Sequence, residues 1–173
     1  MKRNIYELAA DFSPEADEMI EKWSSFGTYN CGIKRDARTK LDIMIHTIEG
    51  ENIVKDYLNS QNKGKWHFTD PERLLINDAY APKNYPDLYD SVNHITCEIK
   101  EVNDRQWTAV GKLVFKLRCE KDNILYAVFH NADNCIIINS SHNKLAQIDL
   151  NSIKKVGNGY FTVEALKVIS IEE

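Results

Sequence analysis

The stretch YPDLYDSVNHITCEIKEV, residues 85–102, is where the chain turns from helical to strand-like patterning. Side chains alternate across a strand, so Ile95, Cys97 and Ile99 share one face while Thr96, Glu98 and Lys100 share the other. The first face suits packing on a helix. The second presents a carboxylate and an ammonium about 6–7 Å apart along the strand. Asp87 lies upstream in PDLYD. If SVNH makes a tight connection, that stretch pairs antiparallel with 94–102 and brings Asp87 near Glu98. Such a set is either a polar strand face washed by water or a group converging on a metal ion.

Upstream the pattern is helical. Ser13 as N-cap and Pro14 at the first helical position open a helix over about 14–24. A longer one runs from Lys40 to Leu58, with Leu41, Met44, Ile45, Ile48, Val54 and Leu58 at three- and four-residue spacing. Gly50 interrupts it at a cost of about 1 kcal/mol against alanine. WHF at 66–68 reads as a short strand. Downstream the strands expected are 87–90, 94–102, 112–119, 123–130 and 134–140. GYFTVEALKVISI closes the sequence as one or two more, with or without a short helix between, and GNG at 157–159 reads as a hairpin turn. Helices before strands predict an α/β or α+β fold, a mixed sheet with N-terminal helices packed against it, in a single domain over 1–173.

Composition narrows the classes. With 173 residues, 43% hydrophobic and 28% charged, the chain is ordinary globular material with a sizeable core. No apolar run approaches the roughly 18 residues of a membrane span, and MKRNIYELAADF has no apolar block behind its basic residues, so a cytoplasmic protein is expected. The net charge of -4 argues against binding driven by nucleic-acid backbone alone. Local basic patches remain: Lys34, Arg35, Arg38 and Lys40 in KRDARTK, and Lys154 and Lys155 in KKVGNGYF, each a solvated surface or one wall of a DNA cleft. Cys31, Cys97, Cys119 and Cys135 show no C-x-x-C pair or finger spacing and read as structural thiols.

Two carboxylates at one spot repel, and a divalent cation relieves them. Mg²⁺ takes oxygen ligands and keeps several waters, so one or two protein carboxylates suffice. A neighbouring lysine orients a water and balances charge developing on a phosphate. The acid-x-lysine triplet at 98–100 occurs once in the chain. On the helix, Glu51 falls on the stripe of Met44, Ile48, Val54 and Leu58, where a buried charge is costly unless paired or metal-bound. Its bland alternative is a stripe-edge residue pairing with Lys55.

Together, GENIVKDYL on a helix, then YPDLYD, then ITCEIKEV resembles the PD-(D/E)XK nuclease superfamily over about Gly50 to Val102. The resemblance implies a restriction-endonuclease-like fold and Mg²⁺-dependent cleavage of DNA, with Mn²⁺ as substitute. It assigns Asp87 and Glu98 as metal ligands, Glu51 as a direct or water-mediated ligand, and Lys100 to position or activate the attacking water. NDRQWTAVGK departs from it, lacking the pattern of the helix usual after the lysine strand. Cutting both strands of double-stranded DNA with one site per chain favours a homodimer. The acidic pI suits site-specific restriction- or homing-type cleavage better than a Holliday-junction resolvase.

Other constellations are weaker. His130-Asn131 and His142-Asn143 hint at an HNH-type nuclease, but KLAQIDLNSIKKVGNG is a poor helix for its last ligand. His46 is read as a helix-surface histidine or a neighbour to the metal. Trp66, His67, Trp107 and Tyr160 are candidate base contacts or core aromatics. From a different class stands a non-catalytic nucleic-acid- or protein-binding regulator whose acids form only a polar strand face.

Overall fold

The computed structural model describes residues 37–69, 86–107, 109–110, 112–118, 132–157 and 159–171. The helix expected over 14–24, the strand over 123–130, and Cys31, Lys34, Arg35, Cys119 and His130 lie outside these. Contacts divide the chain into two units, Met1–Glu49 with Asp70–Lys83, and Gly50–Thr69 with Asn84–Glu173. Of the first, only 37–49 are described, all within helix α1.

Helix α1 spans Ala37–Ser60, three residues longer at its start than the apolar spacing predicts. Its end is built by asparagines. Asn62 takes a left-handed φ of 55° and its N–H donates to the Asn59 carbonyl at 3.2 Å, a conformation asparagine tolerates. The Asn59 side chain accepts from the Trp66 N–H at 2.7 Å and donates to the Trp66 carbonyl at 3.2 Å, which ties the helix end to the first strand. Gly50, the flaw in the helical pattern, has a packing reason: a Cβ there would lie 3.0 Å from His142 Nε2 and 3.3 Å from Glu101 Oε2.

The strands are β1 (Trp66–Phe68), β2 (Leu88–Asp90), β3 (Ile95–Val102), β4 (Ala109–Val110), β5 (Lys112–Arg118), β6 (Asn134–Asn139), β7 (Lys144–Val156) and β8 (Tyr160–Ser170). Seven form a mixed sheet in the order β1-β2-β3-β6-β7-β8-β5, and the two-residue β4 adds to the outer edge of β5. Among the described strands only β3 and β6 run parallel, Cys97 opposite Asn134 through Val102 opposite Asn139. The fold is α+β. After the lysine strand come a turn over 104–106 and β4. The closing stretch is one strand, β8, joined to β7 by a turn whose Gly159 has φ 77°.

Alternation sorts the core into two clusters. Cys97 and Ile99 of β3 pack with Leu88, Trp66, Ile136, Ile138, Leu145 and Val54, so the Gly50–Ser60 part of α1 covers this side of the sheet. Val102, Cys135, Ile137, Ala146 and Ile148 face the other way, with Leu113, Phe115, Phe161 and Val163. Each apolar side chain fully buried in these clusters contributes about 1.5–3 kcal/mol.

At the β2–β3 turn sits a polar hub. Asp90 is 1% exposed. Its carboxylate accepts from the backbone N–H of Lys65 (2.9 Å) and Val92 (2.9 Å) and from the Asn93 amide (2.7 Å). Burial pushes its carboxyl up, and hydrogen bonds from the Asn93 side chain and the Lys65, Val92 and Asn93 backbone outweigh this, bringing it down to about 2. These bonds hold residues 91–94 in the tight turn expected of SVNH.

Candidate metal centre

β2 and β3 pair antiparallel, Leu88 opposite Cys97. Asp87 immediately precedes β2. Its Oδ2 accepts from the Ile99 N–H at 2.9 Å, where β2 has not yet begun and its backbone offers no partner. Asp87 is itself held by its carbonyl, which accepts from the Thr69 N–H at 3.1 Å. Thr69 Oγ1 donates to the Pro86 carbonyl at 2.8 Å. The Pro-Asp step is thus clamped from β1's end and from β3.

Alternation places Glu98 and Lys100 on the same face of β3, away from Cys97 and Ile99. Glu98 is 8% exposed, while Asp87 and Lys100 are half-buried. Across the parallel pairing, Cys135 stands opposite Glu98 and Ile137 opposite Lys100. Both belong to the second core cluster, as does Val102 at the next position on this face. The two carboxylates therefore sit at the margin of an apolar region, where charge is poorly screened. The neighbouring thiols register this. Burial above all, then the Glu98 and Asp87 carboxylates, push the Cys135 thiol far up. Burial, then Cys135, Asp87 and Glu98, do the same to Cys97.

Glu98 and Lys100 thus share one face of β3, and the Asp87 carboxylate is bound to the backbone of Ile99 between them. Glu51 is placed differently. It is 3% exposed on α1, one residue after Gly50, which lies against Glu101 and His142, and one turn before Val54, which packs with Cys97 and Ile99. The helix bearing Glu51 thus covers the face opposite Glu98 and Lys100. Lys55, its sequence-level alternative partner, lies over the Phe68 ring at 4.7 Å.

Among the DNA-contact candidates, Lys154 and Lys155 are exposed on β7. Arg38 and Lys40 fall within α1. Trp66 is core at 7% exposed, and Trp107 packs its ring on Phe115, centroids 5.2 Å apart. Lys116 stands over the Tyr160 ring at 4.9 Å, and His67 Nε2 is 3.1 Å from Ser91 Oγ.

Two residues of the same hairpin escape a sequence reading centred on acids. The Tyr89 hydroxyl lies 2.6 Å from His94 Nδ1. Tyr89 was legible from alternation, two residues along from Asp87. His94 was not, because a turn residue has no facing rule. Among the described residues no helix is long and apolar enough to cross a membrane. No protein-family model, curated protein or solved structure matches the chain.

Proposed function

We propose that this protein is a Mg²⁺-dependent endonuclease of the PD-(D/E)XK type acting on double-stranded DNA, with its metal centre on the β2–β3 hairpin. One observation carries the reading: the Asp87 carboxylate is bound to the Ile99 N–H, between the buried Glu98 and Lys100, which share a face of β3. Two carboxylates supply hard oxygen ligands, and their position beside an apolar cluster makes a divalent cation a strong remedy for their mutual repulsion. When bound, the ion lowers the pKa of a coordinated water and polarises a phosphoryl oxygen.

The chain's own residues then have distinct tasks. Asp87 and Glu98 hold the ion, Asp87 kept in place by the Ile99 N–H. The Lys100 ammonium orients the attacking water and balances charge on the phosphate. Glu51 has no task in this arrangement. Its place on the helix covering the other face favours a second reading, a non-catalytic binding module in which the hairpin acids are a polar strand face.

The test is to incubate mixed plasmid and phage DNA with the protein and Mg²⁺, with EDTA and Lys100→Ala as controls. Metal-dependent cutting that Lys100→Ala abolishes is the expected result. Intact DNA, together with no Mg²⁺ or Mn²⁺ binding by calorimetry, overturns it in favour of the binding module.

A further inference from the structure

The ladder between β1 and β2 stops one residue short of Asp87, at Phe68 opposite Leu88. Thr69, just past Phe68, takes over from there. Its N–H donates to the Asp87 carbonyl at 3.1 Å. Its hydroxyl donates to the Pro86 carbonyl at 2.8 Å and shares that proton with the Asp87 carbonyl at 3.2 Å. Thr69, Pro86 and Asp87 are all half-buried, which shields these bonds in part from competing water. Residues 70–85 separate Thr69 from Pro86 in sequence, so the grip is made by the tertiary fold.

The two carbonyls belong to the two peptide planes that meet at the Asp87 Cα. Holding the oxygen of each plane fixes φ and ψ of Asp87 together, and with them the direction of its Cα–Cβ bond. Pro86 stiffens the entry side, because its ring fixes its own φ. At the other end of the side chain, Oδ2 accepts from the Ile99 N–H at 2.9 Å. The carboxylate is thus set at its root by Thr69 and at its tip by β3. Valine shares the shape of threonine, but only a hydroxyl reaches the Pro86 carbonyl.

We infer that Thr69 is a positioning residue of the proposed metal centre, its hydroxyl setting the Asp87 carboxylate for the divalent cation. This rests on the nuclease reading. A ligand already ordered by the fold binds an ion more tightly than one the ion must order. Loss of the hydroxyl frees the plane between Pro86 and Asp87, while the Thr69 N–H still holds the plane that follows. The effect therefore falls on metal affinity, not on contact with DNA.

The variants are Thr69→Val, which removes the hydroxyl, and Thr69→Ser, which restores it. Mn²⁺ affinity is measured by calorimetry without DNA, and cleavage of duplex DNA is followed against Mg²⁺ concentration. Thr69→Val is expected to weaken Mn²⁺ binding about fivefold and to raise the Mg²⁺ needed for half-maximal cutting by a similar factor. Saturating Mg²⁺ should restore kcat, with KM for DNA unchanged, and Thr69→Ser should match the parent. If Thr69→Val melts early, its Kd is read at a temperature where circular dichroism shows it folded. A lowered melting temperature with Mn²⁺ affinity within twofold of the parent marks a merely structural hydroxyl and overturns the inference. Thr69→Ser binding Mn²⁺ as weakly as Thr69→Val overturns it too. In both cases a parent that binds metal and cuts DNA, with Lys100→Ala inactive, leaves the nuclease standing. A parent that binds neither ion and leaves DNA intact overturns both readings.

Discussion

Gly64 and the Asp90 carboxylate meet so closely that a Cβ on residue 64 would occupy the space of Asp90's Oδ2 and Cγ. The loop from α1 into β1 and the turn from β2 into β3 are locked together at this point, since the same carboxylate takes the Lys65 N–H. Gly64→Ala must push apart backbone and a buried, fully engaged side chain, and is expected to destabilise by about 1–3 kcal/mol. Gly50→Ala meets only the ends of the His142 and Glu101 side chains and gains helix propensity. Its effect should be smaller. Urea midpoints of the two variants check the order, and a Gly64→Ala protein as stable as its parent would contradict this packing.

The hub also sets an acid limit. Asp90's folded pKa is depressed to about 2 from an ordinary 3.8. Its contribution to stability is therefore fully present above the unfolded value and is lost as pH falls from about 4 through about 2. Unfolding free energy measured across that window should fall more steeply in the parent than in Asp90→Asn, which has no proton to take up there.

Cys97 and Cys135 are buried, and burial with the nearby carboxylates keeps both protonated. The thiolate is the reactive form. In native protein, peptide mapping after brief alkylation at pH 8 should find both unmodified, and denaturant should expose both. Rapid labelling of Cys135 in the folded state would mean that the Glu98 side of β3 is open to solvent.

Metal should raise stability by mass action, about 2.7 kcal/mol at a hundred times Kd. Asp87→Asn preserves an acceptor for the Ile99 N–H while removing the charge, so it should keep its apo melting temperature and lose the response to Mg²⁺ or Mn²⁺. Glu98→Gln should lose the response as well.

Glu51→Gln separates the helix from the hairpin. Because α1 covers the Cys97–Ile99 face, this variant should retain the metal-induced rise in melting temperature that Asp87→Asn loses. A response abolished equally in both would bring Glu51 into the same coordination sphere.

Much of the fold was legible from local pattern. The spacing of Ile48, Val54 and Leu58 marked α1, WHF marked β1, and the alternation in ITCEIKEV marked β3 with its two faces. SVNH held enough turn chemistry to pair β2 antiparallel with β3. What local pattern does not carry is which face a helix covers. Glu51 shares its stripe with Val54, but only the sheet decides whether that stripe looks toward Glu98 or Cys97. The lock between the 64–65 loop and Asp90 was equally hidden, since it depends on residues 25 or more apart coming together.

The parallel pairing of β3 with β6 has a kinetic consequence. The β2–β3 hairpin closes through a short turn and can form early, but residues 103–133 must be threaded before Cys135 and Ile137 arrive beside Glu98 and Lys100. Non-local pairing of this kind is the slow step in folding. The acids spend the early part of folding in water, where they tolerate each other, and are forced into low dielectric only when β6 docks. Burial of the acids and completion of the sheet are thus one event.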